Sequence, residues 1–333
     1  MNDSLDVNRP GKHTYSLAEL ALGNRDSGDD TLTCITNGAG PSVVVCGGIH
    51  GDEYEPQIVL RRLIASLDAT DVAGRLIIIP SLNFPAAHDG RRVSVKDGLN
   101  MNRTFPGDRN GSVTQRLSAF LNDALFPHCD LLVDVHAGGS GCIVVPMVFG
   151  WTSGQCSMTE RDLDGLMETW GYPYVQHVPV VDTTSCGAAL IARIPSIEIE
   201  GGGGSLSASE LELMLAGLRR GLRAYGVLKA AADVDADADA AADAMKADPV
   251  IHLDVTDDNQ YFAPVTGVIE HTVALHDFVE AGQVVALMHS VDGAYATQEV
   301  LARRPGHVLR QSTLGFVGQG APVGNTGTPR RPA

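Results

Sequence analysis

The chain lacks several things, and each absence removes a class of answer. No apolar run in the 333 residues approaches the ~18 that would cross a bilayer, so a membrane-spanning protein is not expected. The first sixteen residues, MNDSLDVNRPGKHTYS, carry no apolar core and no small-residue cleavage pattern, which argues against a signal peptide. Basic residues are scarce, 24 Lys and Arg against 40 Asp and Glu, and the net charge of −16 speaks against a nucleic-acid partner. None of the six cysteines (Cys34, Cys46, Cys129, Cys142, Cys156, Cys186) forms a C-x-x-C pair. Reduced thiols and a cytoplasmic location are the default reading. No G-x-S-x-G elbow surrounds Ser185-Cys186-Gly187, so a nucleophilic-serine hydrolase is not indicated.

What is present is ample material for a core, 44% hydrophobic with 19% charged, in a chain long enough for two domains or one large one. Strand-like runs fall at residues 31–36, 42–46, 75–80, 131–136, 143–148 and 196–200. Helical periodicity falls at 55–67, 114–124 and 210–227. Alternation with short glycine-rich joints predicts an α/β sheet with helices on both faces, whose ligands bind at the carboxyl ends of the strands. An Ala/Asp-rich segment at 229–249 reads as a solvated linker between a domain at 1–228 and a second at 250–320. The second has short strand-like pieces at 261–262, 267–271, 283–289 and 299–302, punctuated by glycines, and reads as a small all-β module. Residues 321–333 read as a mobile tail.

Two strand ends carry the chemistry. The run Val43-Val44-Val45-Cys46 ends in Gly47-Gly48-Ile49-His50-Gly51-Asp52-Glu53, and the run 131–135 ends in His136-Ala137-Gly138-Gly139. His50, Glu53 and His136 make three ligands of the kind zinc takes in catalytic sites, where a fourth position stays open for water. H-x-x-E alone is a weak signal, and its setting between a strand, two glycines and a helix start is what raises it. Asp134 lies two residues before His136 on the same strand face, placed to orient the imidazole through its other nitrogen.

Glu198 and Glu200 share one face of the next strand-like run, before Gly201–Gly204. A glutamate near the metal can take a proton from water and return it to a leaving amine. Glu198 is the first choice for this role and Glu200 the fallback. Four consecutive glycines suggest a close backbone approach or a mobile loop over a site. Arg91-Arg92 and Asn100–Gly107 lie between the two halves of the metal motif, where arginine suits a carboxylate or a developing oxyanion. The other nine histidines show no second ligand spacing.

At these residues the chain resembles the succinylglutamate desuccinylase/aspartoacylase family, relatives of the zinc carboxypeptidases. The matching pieces are GGIHGDE (47–53), PSLNFPAA (80–87), NRTFPGD (102–108), DVHAGG (134–139) and the glutamate-then-glycine run at 198–204, in the family's order over roughly residues 40–225. The resemblance implies a zinc-carboxypeptidase-like mixed sheet and one Zn2+ per chain held by His50, Glu53 and His136. It implies Asn102 and Arg103 on a substrate carboxylate, Arg92 on the acyl carbonyl and Glu198 as catalytic glutamate. The family usually reads Glu, one residue, then glycine. Here Glu200 stands at that glycine position, which leaves Glu198 against Glu200 open. Residues 262–288 resemble the half-barrel of biotinyl/lipoyl domains, but the expected turn, His289–Gly293, has no lysine. A structural or site-capping role is expected there. Together these features are most similar to the subgroup containing N-acetyl-diaminobutyrate deacetylases. The expected reaction is zinc-dependent hydrolysis of a small N-acyl amino acid. A peptide-cutting metallocarboxypeptidase and a silent metal-binding homologue are the alternatives, and a homo-oligomer is compatible with the sequence.

Overall fold

The computed structural model describes residues 5–23, 31–151, 158–229 and 249–330. The first half runs β1 (Gly11–Ser16), α1 (Leu17–Leu22), β2 (Thr31–Asn37), β3 (Ser42–Gly47), α2 (Tyr54–Ser66), β4 (Gly74–Ile79), α3 (Phe84–His88), α4 (Val113–Phe120), β5 (Leu131–Val135) and β6 (Cys142–Trp151). It continues through α5 (Glu160–Thr169), β7 (Tyr174–His177), α6 (Ser185–Ile191), β8 (Ser196–Gly202) and α7 (Ala208–Ala224). After the Ala/Asp-rich segment come β9 (Ile251–Asp254), β10 (Gln260–Phe262), β11 (Gly267–His271), β12 (Phe278–Val279), β13 (Val284–His289), β14 (Gln298–Leu301), β15 (Gly306–Ser312), β16 (Phe316–Val317) and β17 (Pro322–Pro329).

The β-branched runs pair side by side at the centre of one mixed sheet. β3 lies parallel to both β4 and β5, and β5 parallel to β8. The chain passes from β3 to β4 on one side through α2 and returns from β4 to β5 on the other through α3 and α4, and this reversal of strand order opens a crevice beyond the strand ends. Alternation along the strands sorts side chains between two cores. Val43, Val45, Val133, Ile197 and Ile199 pack under α2, α5 and α7. Val44, Cys46 and Leu132 face the other way, with α1, α4 and α6. Helices therefore cover both faces, as expected.

The C-terminal region departs from the expected separate module. Its four-stranded sheet, β14-β13-β11-β16, is present. However, β9, β17, β15 and β12 continue the large sheet beyond β7, and β15 also pairs with β6. Strands β6, β7, β9, β17 and β15 thus close into a ring, filled by Met147, Tyr174, Leu253 and Leu309. The expected linker falls almost entirely outside the described residues, as does Cys156.

The expected mobile tail is a correction. Residues 322–329 are β17, paired with β9, β10 and β15. The strand carries little apolar alternation because its glycines serve close packing. A Cβ on Gly324 would sit 2.4 Å from the Tyr261 hydroxyl, and one on Gly327 2.6 Å from Leu309. Deleting residues 322–333 removes an interior strand, so the thermal midpoint should fall by more than about 10 °C, from several kcal/mol of lost pairing and burial. Circular dichroism melts of the truncated protein check this; an unchanged midpoint would return the segment to a dispensable tail.

Candidate active site

β3 delivers its loop to the crevice, and glycine sets the loop's path. A Cβ on Gly51 would lie 2.1 Å from the Ala86 carbonyl carbon, so the loop rests directly on α3. Glu53 follows as the residue capping α2, yet its carboxylate makes no capping hydrogen bond. It is committed elsewhere: Oε1 lies 2.7 Å from His50 Nδ1 and Oε2 lies 2.8 Å from His136 Nδ1. The backbone N–H of Ala137 donates to Oε2 at 3.3 Å. All three side chains are buried, at 3%, 1% and 2% exposure for His50, Glu53 and His136. One potential ligand atom from each lies within 4.8 Å of the others. The expected ligand set therefore converges.

The outer nitrogens of the imidazoles are held as well. His50 Nε2 lies 3.1 Å from Asn100 Oδ1. His136 Nε2 lies 3.0 Å from Asp134 Oδ2, off the line of an ideal hydrogen bond. An acceptor at each Nε2 favours the tautomer that leaves Nδ1 with its lone pair, the state a metal ligand requires. In the absence of an ion the electrostatics instead favour a second proton on the His136 ring. Burial opposes ionisation of Glu53, but His136 and then His50 overrule it and hold its carboxyl well below the carboxylate range. Burial likewise opposes a charged His136, but Asp134 and Glu53 raise its pKa well above the ordinary imidazole value. Without an ion, a proton on His136 balances the carboxylates. Two imidazole nitrogens and one carboxylate, each oriented from behind, fit a zinc ion.

A cavity of about 220 Å³ opens beside the cluster, lined by Glu53, Arg92, Gln176, Glu200, Arg310 and Asn325 among others. Arg92 lies 3.1 Å from Glu53 Oε1 and is half exposed. Glu200 Oε2 is buried and has no hydrogen-bond partner among the described residues. Burial first, then Glu53 and Glu198, push the Glu200 carboxyl up to about 8, against the pull of His136 and Arg310. A larger cavity of about 400 Å³, lined by Leu5, Leu20 and Phe120, shares no residue with the cluster.

Glu198 does not line the active-site cavity. Its Cα pairs with Asp134 across β5 and β8, and its carboxylate lies within 4.8 Å of Asp134 and the Cys186 thiol. Burial and then Asp134 and Glu53 raise it to about 7, with His136 and Arg103 acting the other way. Asn102 and Arg103 also lie outside the cavity lining. Asn102 Oδ1 accepts from the Ser185 N–H at 3.0 Å, and exposed Arg103 donates to the Asn102 carbonyl at 2.5 Å. Gln176, Arg310 and Asn325 had no signal in the sequence, because β7, β15 and β17 reach the cavity only through the ring. The expected close approach at the glycine run is found: a Cβ on Gly203, at φ +107°, would lie 2.3 Å from the Cys142 carbonyl oxygen.

Residues 39–225 match the succinylglutamate desuccinylase/aspartoacylase catalytic domain. The chain belongs to the succinylglutamate desuccinylase/aspartoacylase family. It is 34% identical over 280 residues to the N-alpha-acetyl-L-2,4-diaminobutyric acid deacetylase of Halomonas elongata, covering 83% of this chain and 78% of that one. The product-bound ectoine utilization protein EutE (DoeB) of Ruegeria pomeroyi superposes with a TM-score of 0.82 at 30% identity, over 98% of each chain. A succinylglutamate desuccinylase/aspartoacylase of Rhodobacter sphaeroides gives 0.84 at 26% identity, again over 98% of each. Both superpositions cover 98% of this chain, so the C-terminal strands belong to the shared fold. No described helix is long and apolar enough to cross a membrane.

The raised Glu200 pKa has a sign in stability. An acid that folds with its pKa moved up from 4.5 to about 8 contributes fully below pH 4.5, and that contribution is lost as pH rises toward 8. The thermal midpoint of metal-free protein should decline between pH 5 and 8. Glu200→Gln, which carries no charge to bury, should decline less steeply over the same window. Parallel melting curves for the two would remove Glu200 from the account.

Proposed function

We propose that this family member is a zinc-dependent amidohydrolase that removes an acyl group from a small N-acyl amino acid, with N-acetyl-diaminobutyrate the leading candidate. One observation carries the reading: His50, Glu53 and His136 converge beside a cavity that Glu200 helps to line, its buried Oε2 having no hydrogen-bond partner among the described residues. The Halomonas relative's name supports the substrate. A zinc ion held by the three ligands supplies Lewis acidity and brings the pKa of water toward ~7.

The chain's own groups do the rest. Glu200 accepts a proton from water as its oxygen bonds to the amide carbonyl carbon. The same carboxyl then returns that proton to nitrogen as the C–N bond breaks, leaving a carboxylate and a free amine. A pKa raised by burial and neighbouring carboxylates suits a group that takes and returns a proton near neutral pH. Arg92, beside Glu53 on the cavity wall, faces the developing oxyanion. Arg310 is a second cation lining the cavity and the better placed of the arginines for a substrate carboxylate, with Asn102 engaged by Ser185.

The five described cysteines are unpaired, which suits the cytoplasm. We also infer that the C-terminal segment keeps a biotinyl/lipoyl-type half-barrel without its carrier role. Residues 247–333 contain no lysine to modify, and their strands wall the hydrolase cavity instead.

Purified protein should hydrolyse N-acetyl-L-2,4-diaminobutyrate, lose activity to a chelator and His50→Ala, and recover from the chelator with added zinc. N-succinylglutamate, N-acetylaspartate and dipeptides assayed alongside define the class; cleavage of dipeptides alone would overturn the deacylase reading. Glu200→Gln should retain zinc and lose turnover by roughly 10²–10⁴-fold, while Glu198→Gln should lose much less. The reverse order would make Glu198 the acid/base after all.

A further inference from the structure

Ser185 makes no nucleophile, yet it is fully buried and uses both its side chain and its backbone to join two parts of the site. Its hydroxyl donates to Asp134 Oδ2, the oxygen that lies 3.0 Å from His136 Nε2. Its N–H is one of the donors left unpaired at the start of α6, and it donates to Asn102 Oδ1 at 3.0 Å. From Asn102 the path continues. The Asn102 N–H donates to Asn100 Oδ1 at 3.0 Å, and that oxygen lies 3.1 Å from His50 Nε2. The outer nitrogens of both histidines are thus ends of one chain of contacts, and Ser185 is the residue where its two halves meet.

We infer that Ser185 is a positioning residue, which fixes the His136 ring through Asp134 and ties the orientation of that ring to Asn102, Asn100 and His50. Three features favour this over simple satisfaction of a buried carboxylate. Asp134 already receives the Cys46 thiol on Oδ1, at 3.5 Å, so its position has a second anchor; the Ser185 hydroxyl instead engages the oxygen nearest the imidazole. The start of α6 is fixed separately, by the Thr184 hydroxyl accepting from the Gly187 N–H at 3.0 Å. And the partner of the Ser185 N–H is a side chain of the 100–103 segment rather than backbone of its own helix. Groups behind a metal ligand set its orientation and basicity, and their loss typically weakens metal binding 10–100-fold.

The inference rests on the zinc reading, so wild-type zinc binding is measured first, by competition with a chromophoric chelator. No stoichiometric zinc in wild type would overturn both. With zinc bound by wild type, Ser185→Ala should weaken zinc affinity by roughly 10–100-fold and raise KM, while folded far-UV circular dichroism is kept. Ser185→Cys, which nearly keeps the volume with a much weaker donor, should weaken affinity in the same direction and carries the test if the alanine variant does not fold. Asn102→Ala, which touches no metal ligand, should also weaken zinc, and the double variant should lose less than the sum. A folded Ser185 variant that binds zinc as wild type does, with a lowered melting temperature as its sole defect, would reduce Ser185 to a structural residue and overturn the inference.

Discussion

One buried carboxylate shared between two imidazoles organises this molecule. Glu53 is held in its ionised state by His136 and His50, and each histidine is held in turn from its outer side. A carboxylate in the interior is costly unless paired and hydrogen-bonded. The cluster can persist only because three strands of a rigid parallel sheet bring its parts to one edge. β3 supplies the loop carrying His50 and Glu53, β5 supplies Asp134 and His136, and β8 supplies the two glutamates beside them. Packing on both sheet faces leaves those strand ends little room to relax, which is how burial is turned into alignment.

The site divides its carboxylates by depth. Asp134 and Glu198 lie on the sheet beneath the imidazole, against Cys186 and α6; Glu53 sits between the two rings; Glu200 reaches the cavity. The same residue type therefore stands in three settings: behind an imidazole, between two imidazoles and at the cavity wall. Its role is set by which neighbours are cations and which are further acids. Glu200 sits two residues beyond Glu198 on the same face, one step closer to the strand end, and that step separates a group beside Asp134 and Cys186 from one that lines the cavity.

Much of this was legible in the sequence where short-range pattern and chemistry coincide. Val43–Val45 and the run at 131–135 announce strands, and His50, Glu53 and His136 announce ligands, because zinc chemistry restricts residue type and the strand-to-loop junction restricts position. Glu198 against Glu200 was not decided by periodicity, since both occupy the same face and only the depth of the cavity tells them apart. Ser185 was visible only as a failed nucleophile motif, because its value lies in partners 51 and 83 residues away. β17 was missed because glycine and threonine replaced the apolar alternation that marks a strand. Arg310 and Asn325 were missed with it, as cross-strand neighbours on β15 and β17.

The pairing of β6 with β15 has a further consequence. The His50, Glu53 and His136 cluster and Glu200 come from the first two-thirds of the chain, whereas Val255, Leu309, Arg310 and Asn325 of the cavity lining come from the last quarter. In the proposed mechanism, reaction and recognition are written in different stretches of sequence but read in one chamber. Drift in the final strands could redirect such a catalyst toward a new amine or acyl partner while its reactive centre stays untouched. Conversely, a chain released before those strands are made would carry a complete set of ligands and an unfinished chamber.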